Sequence, residues 1–219
     1  MELKGKKILF LGDSITEGVG ASCPENAYWR VFGRNTQAEV WADGRSGTRI
    51  APQLRPDEWD SHPHNVHYGA RVADMPAEAD VVVVFGGTND FGHGDAPLGK
   101  MSDREETSFY GALHQLCQAL IAKYPLAEIV LFTPLHRLGE DAPINERGIR
   151  NVAPLSGYAA VIREVAAYYG LPVLDLYATS GIQPRVDIIR QAFAPDGLHP
   201  NDAGHARIAR RLEGFLNVL

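Results

Sequence analysis

Short apolar runs punctuate the chain at residues 7–11, 38–42, 80–85, 128–133 and 172–176. Val81-Val82-Val83-Val84-Phe85 is the clearest: apolar at every position and rich in β-branched side chains. A strand of that kind suits a parallel sheet covered on both faces. Between the runs lie stripes at helical spacing. Phe109, Leu113, Leu116, Cys117, Leu120, Ile121 and Tyr124 share one face, with Pro125 as a stop and Ser102 with Glu105 as an expected capping box. Tyr158, Val161, Ile162, Val165, Ala166 and Tyr169 form a second stripe closed by Gly170. Ile208, Leu212, Phe215, Leu216 and Leu219 form a third.

Strands alternating with helices predict βαβ crossovers and a mostly parallel sheet. Ligands in such sheets bind beyond the carboxyl ends of the strands. Polar clusters follow each run: Asp13-Ser14, then Asp43 to Thr48, then Gly86 to Asp90, then His136-Arg137, then Asp196 to Asn201. All are expected on one rim.

Composition narrows the classes without naming a chemistry. The 219 residues are 45% hydrophobic and 22% charged, an ordinary globular balance for one domain spanning 1–219. The net charge of −6 gives no basic footprint for nucleic acid. No run reaches the roughly 18 apolar residues of a membrane span. The short apolar stretch near the N-terminus falls below a secretion signal, so a cytoplasmic protein is expected. Cys23 and Cys117 are read as a loop thiol and a core thiol.

The clusters contain the parts of a nucleophilic hydrolase. Ser14 supplies a hydroxyl and His199 a base, and Asp196 lies three residues earlier, within one turn of the imidazole. Oxyanion donors are expected from the Ser14 N–H, the Gly47 N–H and the Asn89 amide. Asp13 reads as a brace at the strand end, and as a secondary substrate-site candidate with Phe91, His136 and Arg137. Phe91 would wall an acyl site. His62, His64 and His67 lie close together without carboxylates or cysteines at ligand spacing, and read as a solvated loop rather than a metal site. Gly18-x-Gly20 lacks the third glycine of a dinucleotide fingerprint.

Gly12-Asp13-Ser14, Gly44-x-x-Gly47, Gly87-x-Asn89-Asp90 and Asp196-x-x-His199-Pro200 resemble, in order, the blocks of the SGNH hydrolases, the GDSL esterase/lipase superfamily. The second block departs from the family by lacking the Asp-Thr that often follows its second glycine, which leaves Gly44 as the alternative to Gly47 at the oxyanion. The resemblance implies a three-layer α/β/α sandwich, flavodoxin-like, with strand order 2-1-3-4-5. It implies Ser14 as nucleophile, Asp196 and His199 as its partners, Gly47 and Asn89 at the oxyanion, and no metal or organic cofactor. The expected activity is ester hydrolysis through an acyl-enzyme, with short acyl groups such as acetyl on a carbohydrate or another small alcohol. Alternatives on the same scaffold are lysophospholipase or acyl-thioesterase activity and acyl transfer. A distant one is a non-catalytic carbohydrate-binding protein. The partner is a small-molecule ester, and homo-oligomerisation stays open.

Overall fold

The computed structural model describes residues 1–55 and 66–219. His62 and His64 lie outside those residues. The strands are β1 Lys7–Gly12, β2 Glu39–Gly44, β3 Val81–Phe85, β4 Glu128–Phe132 and β5 Val173–Leu174. They form one parallel sheet in the order β2-β1-β3-β4-β5, as the sequence implied.

Helices follow the strands as α1 Ser14–Glu17, α2 Tyr28–Thr36, α3 Tyr68–Arg71, α4 Thr88–His93, α5 Phe109–Lys123, α6 Leu155–Tyr169, α7 Leu176–Thr179, α8 Asp187–Phe193 and α9 Asp202–Leu216. Side chains alternate across the sheet. Ile8, Phe10, Val81, Val83, Phe85, Val130 and Phe132 pack with Phe32, Ile208 and Leu212 of α2 and α9. Leu9, Leu11, Val82, Val84, Ile129 and Leu131 pack with Leu113, Leu116, Val161 and Val165 of α5 and α6. The two cores explain why the strands read as unbroken apolar runs, since either face of the pleat meets a helix layer. Each fully buried Val, Leu or Phe contributes about 1.5–3 kcal/mol of transfer free energy.

Two expectations about helix ends change. The long helix after β3 begins at Phe109, and its cap is Ser108, whose hydroxyl accepts from the Gly111 N–H. Ser102 and Glu105 cap nothing, because residues 100–108 fold as a turn around Asp103. That carboxylate takes the Lys100 N–H at 3.1 Å and the Ser108 hydroxyl at 2.9 Å. The last helix ends at Leu216, so Leu219 of the third stripe lies outside it, half-exposed. Cys23 is an exposed thiol and Cys117 a buried one.

Register levels the rim. Gly12 pairs with Gly44 of β2 and Phe85 of β3, and Phe85 with Phe132 of β4. The residues that follow these four therefore emerge side by side. Among the described residues no helix is long and apolar enough to cross a membrane.

Candidate active site

Ser14 opens α1 directly after β1. Asp13 is its N-cap and accepts the Ile15 N–H at 3.0 Å, the bracing role expected of it. Gly12 permits the abrupt turn: a Cβ there would sit 2.0 Å from the Thr16 hydroxyl. The turn leaves Ser14 only 6% exposed, at the carboxyl end of a buried strand.

The Ser14 Oγ lies 3.1 Å from His199 Nε2, and His199 Nδ1 lies 2.7 Å from Asp196 Oδ2. The carboxylate can only accept, so the imidazole proton sits on Nδ1 and the Nε2 lone pair faces the serine. The other Asp196 oxygen, Oδ1, accepts the Leu198 and His199 N–H groups at 2.8 and 2.7 Å. Burial works to raise the Asp196 carboxyl, but those two N–H bonds and the His199 ring outweigh it and hold it below the usual range. The loop is fixed from both sides. Leu138 N–H bonds to Gly197 O at 2.8 Å, and Asn201 caps α9 through the Gly204 N–H. Ser14 and His199 lie 185 positions apart in the sequence, and the fold brings them within hydrogen-bond reach.

Asn89 lies in the first turn of α4, 6% exposed, and donates one amide hydrogen to Thr48 O at 3.0 Å. Among the described residues its second amide hydrogen has no recorded acceptor. Gly47 has φ +76°, a left-handed conformation that glycine adopts without steric cost. The α-carbon of Gly44, the alternative, packs on α1, where a Cβ would meet the Glu17 nitrogen at 2.1 Å.

The remaining candidates sit farther along the rim. Arg137 is 8% exposed, ion-paired to Glu146, 3.4 Å from Thr88 O and stacked over Phe91. Phe91 is a core residue, edge-to-face with Tyr158. Arg137 and Phe91 also line a groove of about 130 Å³ with Leu138, Ala142 and Ile144. His136 faces α7 instead, bonded to Glu140 at 2.7 Å with its ring 4.0 Å from that of Tyr177. A larger groove of about 430 Å³, lined by Lys7, Glu39, Trp41 and Glu78, opens at the opposite, amino end of the strands, away from this chemistry. His67 lies 3.7 Å from Glu106, and among the described residues no group of three or more His, Cys, Asp or Glu is placed to hold a metal.

Sequence reasoning missed the buried polar layer beneath the rim. Arg71 has no exposed surface and joins Gly12 O, Asp43 and Thr48. Asp90 accepts the Ile50 and Ala51 N–H groups, yet burial still pushes its carboxyl up to about 6. Burial likewise pushes Asp13 up to about 7 and His205 down to about 4. His205 accepts the Tyr28 N–H and faces Val19 O, so its ring is held neutral between a donor and an acceptor. No periodicity or spacing signals the partners of Arg71, Asp90 and His205, because each pairs across distant segments.

The fold is thus an α/β/α sandwich with Ser, His and Asp linked by hydrogen bonds at the carboxyl rim of its sheet. The model of the GDSL-like Lipase/Acylhydrolase family matches residues 10–207, and the chain belongs to that family of ester hydrolases. One solved structure is 31% identical, with TM-score 0.83, over 100% of this chain and 99% of its own. A protein from Lactobacillus plantarum is 33% identical, with TM-score 0.80, covering 99% and 98%. An acetyl xylan esterase shares the fold at 22% identity and TM-score 0.64, covering 96% and 99%. None of the curated proteins compared matches the chain.

Proposed function

We propose that the protein is a serine esterase that cleaves carboxylic esters through an acyl-enzyme. The observation that carries this reading is the hydrogen-bonded line Ser14–His199–Asp196. Ser14 Oγ attacks the acyl carbonyl while His199 Nε2 takes its proton. Asp196 holds the imidazole in the required tautomer and stabilises the imidazolium. The Ser14 N–H, the Gly47 N–H and the second Asn89 amide hydrogen receive the oxyanion, each worth about 3–4 kcal/mol in the transition state. His199 then protonates the departing alcohol and activates the water that releases the acid.

The exposure gradient across the line supports a small acyl group on a bulky alcohol. Ser14 is buried, whereas the His199 side chain is 20% and the Asp196 side chain 54% exposed. The alcohol leaves on the side of His199, which is the open side. The acyl end faces the buried elements around Ser14, which is itself only 6% exposed. An acetyl ester of a carbohydrate meets both conditions. The acetyl xylan esterase of the same fold acts on a substrate of that kind, though its 22% identity carries the fold alone.

Purified protein should hydrolyse p-nitrophenyl acetate with a burst equal to one acyl group per chain, and Ser14→Ala should abolish burst and turnover. Retained turnover in that variant would overturn the assignment. Acetylated sugars beside longer-chain nitrophenyl esters and acyl-CoA thioesters test the substrate class.

A further inference from the structure

Thr48 is the point where two of the three candidate oxyanion donors meet. It follows Gly47 directly, and its carbonyl accepts the Asn89 amide at 3.0 Å. Its hydroxyl donates to Arg45 O at 2.7 Å and accepts from an Arg71 terminal nitrogen at 3.0 Å. Arg71 also binds the Asp43 carboxylate through Nε at 3.0 Å, and Gly12 O and Asp43 O through its other terminal nitrogen. One guanidinium therefore ties the carboxyl ends of β1 and β2 to the Gly47 turn. Its companion Tyr68, one turn earlier on α3, bonds Phe85 O at 2.8 Å, at the end of β3. Thr48 and Arg71 are 1% and 0% exposed, so water cannot replace these bonds.

We infer that Arg71 is a positioning residue for the oxyanion site, acting through Thr48 to fix the Gly47 N–H and to aim the Asn89 amide. The inference rests on the esterase reading above. The chemistry favours Arg: its planar fork serves several acceptors at fixed angles, which a lysine ammonium on a flexible stem does not. The oxyanion forms only in the transition state, so a misplaced donor lowers kcat and leaves ground-state binding nearly unchanged.

The test uses Thr48→Val, which keeps the side-chain shape and removes the hydroxyl, beside Thr48→Ser and Arg71→Lys. Active sites are counted by fluorophosphonate titration, so that a lower folded fraction does not register as lower kcat. Removal of one oxyanion donor costs about 10²–10³ in kcat elsewhere, and a donor displaced but present should cost about 10–100-fold. Thr48→Val and Arg71→Lys should lose that much kcat per titrated site on p-nitrophenyl acetate. KM and the apparent pKa of the kcat/KM profile should stay unmoved, and Thr48→Ser should recover activity to within about threefold. Wild-type kcat per titrated site in Thr48→Val overturns the inference, even if Arg71→Lys fails to fold. A wild-type protein that the probe does not label instead overturns the esterase reading.

Discussion

Replacement of Asp196 by asparagine tests the proposed line of proton transfer where it is most exposed to solvent. The amide oxygen can still accept the Leu198 and His199 N–H groups, which lie 2.8 and 2.7 Å from Asp196 Oδ1, so the loop should keep its shape. The amide nitrogen then faces His199 Nδ1 at the 2.7 Å contact now made by Oδ2. Two donors cannot share that contact. The imidazole must move its proton to Nε2, which then points a hydrogen at Ser14 Oγ and can no longer accept one. The same change in another Ser-His-Asp hydrolase costs about 10⁴ in kcat. Here the carboxylate is 54% exposed, and water screens part of its attraction for the imidazolium. The expected loss is therefore nearer 10³, or about 4 kcal/mol at about 1.4 kcal/mol per tenfold. Asp196→Ala imposes no wrong tautomer, because water can fill the gap, and should lose about tenfold less. Both are read as kcat on p-nitrophenyl acetate per titrated site, with KM near wild type. Activity of Asp196→Asn within tenfold of wild type would refute the reasoning, as would a larger loss in alanine than in asparagine.

Two buried groups should shape stability against pH in opposite senses. Asp13 titrates at about 7 when folded, against about 3.9 in the unfolded chain, so the folded state holds a proton the unfolded state has lost, and stability falls as pH rises through that window. Asp13→Asn keeps an acceptor for the Ile15 N–H, so urea unfolding between about pH 4.5 and 8 should show a shallower decline, by up to about 3 kcal/mol; an unchanged slope refutes this. His205 titrates at about 4 when folded, against about 6.5 unfolded, so its contribution is present above that value and lost as pH falls toward 4. His205→Gln should remove up to about 3 kcal/mol of acid-side loss in the same titration, and an acid limb identical to wild type would refute the assignment.

How much of the fold was legible follows from where its free energy lies. Val81 to Phe85 is buried on both faces, so its strand is written in residue type alone. The strand order came from the family blocks, because pairing partners leave no periodic mark. α2 was not read at all. Its buried positions Tyr28, Phe32 and Gly33 are too few for a stripe, and Trp29 is spent on a bond from its indole N–H to Thr16 O. The Ser102 and Glu105 cap failed for a related reason. The spacing was right, but Asp103 offered the backbone and Ser108 a local alternative that a spacing rule does not weigh.

The site divides along a chemical line. A nucleophile, its base and the acid that orients the base each require a particular side chain, so Ser14, His199 and Asp196 stand out wherever strands deliver them to a rim. A positioning residue requires only donors at certain angles, and any distant segment can supply them. Arg71 comes from the short helix α3, where an arginine ordinarily reads as a solvated surface charge. Its burial becomes intelligible only once Gly12, Asp43 and Thr48 are known to converge on it. Removing such a charge's partners leaves it unpaired in a dry layer, which costs more than the bonds themselves contribute. The layer is therefore held together by mutual need, and the two proposed oxyanion donors, Gly47 and Asn89, inherit that rigidity.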